Sequence, residues 1–254
     1  MLVDTHCHLF SEYYDNIDEV LNRASESGVK AVIVNGTNSY DNREVVELVS
    51  KYDMVYGALG LQPQEIGDDW KDSLKYIEEH ICDDKIIAVG EIGLDYHYEC
   101  DRELQKLIFR KQLDLATKYN KPVIIHSRDA IKETYDILKE YHLKGIMHCY
   151  SGSVEMARLF NELGYYLGIG GVCTFKNVSK IIDVIKNISL EYIVLETDSP
   201  YLSPEPYRGR ENEPANIGVI LHKICDIKGV NYGDASHMIY GNVLALFDKQ
   251  LELW

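Results

Sequence analysis

Eight short runs, almost wholly apolar, recur along this chain and restrict its fold more tightly than any other feature. They occupy residues 1–4, 31–35, 55–60, 86–91, 122–126, 145–148, 165–170 and 193–196. A strand with one wet face alternates polar and apolar residues. A run apolar throughout is what a strand covered on both faces requires, as in a parallel sheet. Amphipathic segments lie between the runs. Residues 17–27 place Ile17, Val20, Leu21 and Ala24 at helical spacing, with Gly28 as a stop. A long helix from Asp101 carries Leu104, Leu107, Ile108, Leu113 and Leu115 to a stop near Asn120-Lys121-Pro122. Others are expected from Asp129 through Ile131, Tyr135 and Leu138, and from Ser153 through Met156, Leu159 and Phe160 to Gly164. A further one is expected from Asn177 through Ile181, Ile182 and Ile185, and two more at 216–227 and 234–250. Strands alternating with helices in this way predict an α/β fold, a (β/α)₈ TIM barrel. With 254 residues, a single domain over 1–254 is expected.

Composition narrows the partners. The formal net charge is −15, whereas modules that coat duplex nucleic acid are usually basic. Any nucleic-acid substrate must therefore be met over a small footprint, with cations and local arginines supplying the attraction. No run approaches the roughly 18 apolar residues of a membrane span, and no signal peptide is readable, so a cytoplasmic protein without a membrane partner is expected. Cys7, Cys82, Cys100, Cys149, Cys173 and Cys225 show no C-x-x-C spacing and are expected to be free thiols. Alternation along a strand should point Cys7 and Cys149 away from whatever their histidine neighbours face. The longest aperiodic stretch, residues 200–214, is rich in Pro, Gly, Arg and Asn and follows the eighth run, where a long loop is more often functional than not.

Metal-ligating residue types fall where these runs end. His6 and His8 close the first, and period two sets both imidazoles on one face. Glu91 closes the fourth; a carboxylate there is costly to bury unless paired or metal-bound. His126 and His148 end the fifth and sixth in the same pattern of apolar strand, then imidazole. Asp198 follows the eighth, with Glu196 deeper on the same face as a supporting acid. Four imidazoles and two carboxylates suit a two-metal hydrolytic centre holding magnesium, manganese or zinc. His80, His97, His142, His222 and His237 are expected at the surface or at helix ends. There is no G-x-S-x-G, phosphate-binding P-loop or dinucleotide fingerprint.

These residues sit in longer stretches. They are Asp4-Thr5-His6-Cys7-His8, Gly90-Glu91-Ile92-Gly93-Leu94-Asp95-Tyr96, Ile125-His126-Ser127-Arg128-Asp129-Ala130 and His148-Cys149-Tyr150-Ser151-Gly152-Ser153. Then come Glu196-Thr197-Asp198-Ser199-Pro200-Tyr201-Leu202, and Arg208-Gly209 with Asn212-Glu213-Pro214. In this order, from His6 to about Phe247, the chain resembles the TatD-type metal-dependent deoxyribonucleases, among the amidohydrolase-like barrels. The resemblance implies that His6, His8, Glu91 and Asp198 hold one divalent ion. It implies that Glu91, His126 and His148 hold a second, with Glu91 bridging. Asp198 would also help activate the attacking water, while Arg128, Arg208 and Tyr96 would contact substrate. The implied reaction is hydrolysis of DNA phosphodiesters, expected as 3′-to-5′ trimming by a monomer, through a water whose pKa two cations lower. The alternative is a barrel hydrolase of an ester or amide, such as an aminoacyl-tRNA ester or a cyclic amide. Many related barrels bridge their metals with a carboxylated lysine; Glu91 at that place favours the nuclease branch. One departure stands out. Where the family often has Gly-x-His-Pro, this chain has Gly60-Leu61-Gln62-Pro63, and glutamine offers a phosphate only neutral hydrogen bonds.

Overall fold

The computed structural model describes residues 1–247 and 251. Among them, one sheet of eight parallel strands runs in sequence order. The strands are β1 (Leu2–Cys7), β2 (Val29–Asn35), β3 (Val55–Leu59), β4 (Ile86–Asp95), β5 (Val123–Arg128), β6 (Gly145–Met147), β7 (Tyr165–Ile169) and β8 (Ile193–Leu195). All eight apolar runs are strands. Between them lie α1 (Ile17–Glu26), α2 (Ser39–Lys51), α3 (Trp70–His80), α4 (Arg102–Tyr119), α5 (Ile131–Leu138), α6 (Val154–Glu162) and α7 (Lys180–Asn187), and α8 (Ile217–Lys228) and α9 (Tyr232–Phe247) follow β8. The last expected helix was 234–250, and its final three positions fall outside the described residues.

Local chemistry explains several ends. Asp101 accepts from Leu104 N and Ser153 from Met156 N, so each side chain satisfies an otherwise unpaired first-turn N–H. Asn120 ends α4 at φ +50, in the left-handed region that asparagine tolerates, just before Pro122. Helix α7 begins at Lys180 rather than Asn177, because Asn177 itself sits at φ +68 and cannot open a right-handed turn.

The strands bury two layers. Outward residues pack beneath the helices, with Phe109, Phe160 and Tyr165 among the largest fully buried side chains. Inward residues include Val3, Ile33, Ala58, Ile124, Ile146 and Val194, and α9 adds Tyr240, Val243, Leu246 and Phe247 to the same cluster. Helix α9 thus closes the N-terminal end of the barrel and leaves the C-terminal end open. The seam between first and last strands is short. Cys7 bridges to Ser199, His8 N donates to Ser199 O at 2.7 Å, and Asp198 N donates to His6 O at 2.9 Å. Side chains stitch the rest. Thr5 Oγ1 donates to Leu195 O at 2.9 Å, while Asp4 accepts from Thr197 N at 2.9 Å and from Thr197 Oγ1 at 2.5 Å. Among the described residues no helix is long and apolar enough to cross a membrane.

Candidate metal centre

Period two carries the inward set of β5, β6 and β8 straight to the mouth. Ile124 leads to His126, Ile146 to His148, and Val194 to Glu196 and Asp198. In β1 and β4 the parity would be wrong, since Val3 and Ala88 point inward while His6 and Glu91 lie an odd number of residues further on. A register shift between Asp4 and Cys7, and another between Val89 and Ile92, reverse it. These irregularities re-aim His6 and Glu91 onto the inner face, as bulges near functional sites often do. Glu91 accordingly lies within β4, not at its end.

The side chains converge. His6 Nε2 is 3.4 Å from Glu91 Oε2 and 3.8 Å from Asp198 Oδ1. His8 Nε2 is 3.7 and 3.6 Å from the same two oxygens, and His148 Nε2 is 3.7 Å from Asp198 Oδ1. Among the described residues, three groups of three ligand atoms lie within 4.8 Å of one another: His6, Glu91 and His148; His6, His8 and Asp198; and His148, Cys149 and Asp198. The His6 and His148 rings stack at 3.5 Å between centroids. His126 stands at the rim, with Nδ1 2.7 Å from Glu91 Oε1 and Nε2 3.1 Å from Asp95 Oδ2.

Supporting groups set which nitrogen faces the centre. His8 Nδ1–H donates to Asn35 O at 2.9 Å, so its Nε2 carries the lone pair toward the centre, where it lies 3.1 Å from His6 Nε2. His148 Nδ1 lies 3.2 Å from Glu196 Oε1 without the alignment of a hydrogen bond, and that oxygen accepts from Cys149 N at 2.6 Å. Glu196 is fully buried, and a Cβ on Gly168 would collide with its Oε2. Asp198 and Cys149 take left-handed backbones, φ +55 and +44. Such strain clusters at functional sites. It also overturns the alternation expected for Cys149: β6 has ended at Met147, and Cys149 offers its sulfur within 4.8 Å of ligand atoms of His148 and Asp198. Cys7 behaves as expected, buried with Sγ on Ile33 O at 3.4 Å. The six cysteines are free thiols.

The electrostatics are those of a centre built for cations. Burial, reinforced by His148, lowers the His6 pKa to about 4. Burial opposes charge on His126 and His148 too, but Asp95 and Glu91 raise the first to about 9, and Glu196 and Asp198 raise the second to about 10. Burial would raise the two carboxyls; His126 and His6 instead hold Glu91 well below the usual carboxylate range, and His148 and His8 hold Asp198 below it. Protons on imidazole thus balance the carboxylates, the role that metal ions would take over. His6 Nδ1, His148 Nδ1 and Glu196 Oε2 are buried without a hydrogen-bond partner. The donor set therefore fits divalent cations.

A cavity of about 480 Å³ opens over these groups, lined by His8, Glu91, His126, Arg128, His148 and Asp198, with Gln62 and the exposed Tyr98 and Tyr201 at its edge. The other two expected substrate contacts do not line it. Tyr96 turns aside, its hydroxyl donating to Glu133 Oε2 at 2.6 Å and its ring under Arg102. Arg208 packs over Phe175, with its guanidinium carbon 3.8 Å from the ring centroid. Two acids outside the expected set also reach this region: Asp41 lines the cavity and Asp95 contacts His126. Asp95 sits at the end of β4, four residues after Glu91, and period two from Glu91 would align it with the same face.

Comparison with known proteins decides the family. A model of the TatD related DNase family matches residues 3–248. The chain belongs to the TatD family. It is 38% identical to the uncharacterized metal-dependent hydrolase YabD of Bacillus subtilis, covering 97% of this chain and 99% of YabD. It is 31% identical to the uncharacterized metal-dependent hydrolase YcfH of Escherichia coli K12, covering 97% and 95%. The crystal structure of YjjV, a TatD homolog from Escherichia coli K12, superposes with a TM-score of 0.91 at 33% identity, covering 97% of this chain and 98% of that one. These likenesses place the chain among TatD-family metal-dependent hydrolases with a TIM-barrel fold.

Proposed function

We propose that this protein is a divalent-metal-dependent deoxyribonuclease that hydrolyses DNA phosphodiester bonds at strand ends. The observation that carries the reading is the convergence of His6, His8, Glu91, His148 and Asp198 at the barrel mouth. His6, His8, Glu91 and Asp198 would hold one ion; Glu91, His126 and His148 would hold the second. When bound, magnesium, manganese or zinc ions would lower the pKa of a water and offset charge on the phosphate. Asp198 would accept the proton from that water; its carboxyl is held ionised by the neighbouring imidazolium groups without metal, and the bound cations would do the same in their place. Glu196 holds Cys149 N and faces His148, orienting the imidazole. Arg128 is the cavity's exposed cation and meets a phosphate oxygen. Gln62 contributes only neutral hydrogen bonds; its Oε1 accepts from Gln64 N at 2.8 Å. A cavity of about 480 Å³ admits a terminal nucleotide rather than a duplex, which agrees with a net charge of −15.

The test is chelation of the purified protein and return of single metals, with end-labelled single- and double-stranded DNA assayed beside an ester substrate. DNA cleavage restored by divalent ions is expected, with Glu91→Ala binding neither ion well. Restored ester cleavage without DNA cleavage would replace this reading with the esterase alternative.

A further inference from the structure

We propose that Asp95 is a positioning residue that holds His126 with Nδ1 turned toward Glu91, and that Gln64 ties the 60–65 loop to this arrangement. The inference rests on the reading of His126 as a metal ligand and adds two residues to it. His126 faces Glu91 through Nδ1, whereas His6 and His8 present Nε2 to the carboxylates. A ring turned that way needs its far nitrogen anchored, and Asp95 Oδ2 lies 3.1 Å from His126 Nε2.

The Asp95 carboxylate is itself fully committed. Its Oδ1 accepts from His97 N at 2.9 Å, and its Oδ2 accepts from Gln64 Nε2 at 2.6 Å. With N–H groups on both oxygens, it acts as an acceptor, so the Nε2 proton belongs to His126 and the proton-free nitrogen of the neutral ring is Nδ1. The main chain of Asp95 is pinned as well. Asp95 N donates to Gln105 Oε1 at 3.0 Å, and Gln105 Nε2 donates to Asp95 O at 2.9 Å. Both Asp95 and Gln105 are buried. Gln64 stands two residues beyond Gln62, in the loop where this chain departs from the family's Gly-x-His-Pro. That loop is therefore coupled to the centre through Gln64, Asp95 and His126 in series. Partners of this kind typically contribute 10- to 100-fold to metal affinity.

The experiment uses the full-length chain carrying ¹⁵N-histidine. Long-range ¹H–¹⁵N spectra of the zinc-loaded protein read which His126 nitrogen bears the proton, and titration with zinc or manganese reads affinity. Wild type is expected to carry the proton on Nε2. Asp95→Asn keeps the volume but sets an amide N–H₂ against donors, and is expected to mix the two tautomers. It should also weaken one ion by about 10- to 100-fold. Gln64→Ala should weaken the same ion by a smaller factor. In a His126→Ala background, Asp95→Asn should cause no further loss; a general structural role would still show one there. A proton on Nδ1 in wild type, or a full second loss in the double variant, would overturn the assignment. Failure of the nuclease reading is distinguishable: wild type would then bind metals with the expected tautomer and leave DNA intact.

Discussion

Asp198 separates two roles at the scale of one side chain. Its Oδ1 approaches His6, His8 and His148 at 3.6–3.8 Å, so it is placed to bind metal. Its ionised carboxyl is also placed to take a proton. Asp198→Asn keeps the shape and an oxygen but cannot accept that proton at neutral pH. The rate is expected to fall by roughly 10²–10⁴ and to stay low at saturating metal. Rescue by excess metal, measured as single-turnover cleavage, would reduce Asp198 to a ligand. The histidines make a second prediction. His126 and His148 have folded pKa values of about 9 and about 10, above the ordinary 6.5. Groups raised in this way stabilise the fold fully below about pH 6.5, and that contribution is lost as pH rises through 9 and 10. His6, lowered to about 4, acts oppositely and costs stability as pH falls from 6.5 toward 4. The metal-free protein should therefore lose thermal stability steadily from neutral pH to pH 10. The metal-loaded protein should lose less, because cations replace those protons. Parallel melting curves with chelator and with manganese test this.

Among the elements, the seam between β8 and β1 matters most. Its two strands contribute His6, His8 and Asp198, yet their backbone pairing is a single bridge with flanking bonds. Asp4, Thr5 and Thr197 supply the rest from side chains. Thr197→Val removes the hydroxyl from a fully buried carboxyl while keeping the side-chain shape. A loss of about 1–3 kcal/mol is expected, the cost of leaving a buried polar group short of a partner. Urea unfolding measures it; an unchanged midpoint would mean that Asp4 is satisfied by backbone N–H groups alone. Metal affinity should fall with it, since Asp198 N bonds across the same seam to His6 O.

Over the whole molecule the net charge of −15 governs encounter with a polyanion. Phosphate neutralisation dominates ordinary DNA affinity, and this surface offers little of it. Binding to a short single strand, followed by fluorescence anisotropy at moderate salt, should depend on added divalent ions and nearly vanish in chelator. Tight metal-free binding to long duplex would point instead to a basic groove.

The barrel was legible from the chain alone because burial on both faces demands continuous apolar runs, and eight of them alternate with helical spacing. The residue types of the centre were legible for the same reason: a His, Glu or Asp at the end of such a run is too costly to bury without a purpose. Helices α2 and α3 are harder to read from the sequence; in α2 the buried face opens with the polar Asp41 and Asn42 before Val45, Leu48 and Val49. The aim of each side chain was decided only in three dimensions. Counting by twos puts His6 and Glu91 on the wrong face of β1 and β4, and the register shifts that correct this depend on pairing with neighbouring strands. The turn of Cys149 toward the centre, the withdrawal of Tyr96 and Arg208, and the anchoring of His126 by Asp95 likewise arise from contacts between residues distant in sequence. Local periodicity carries no information about such contacts.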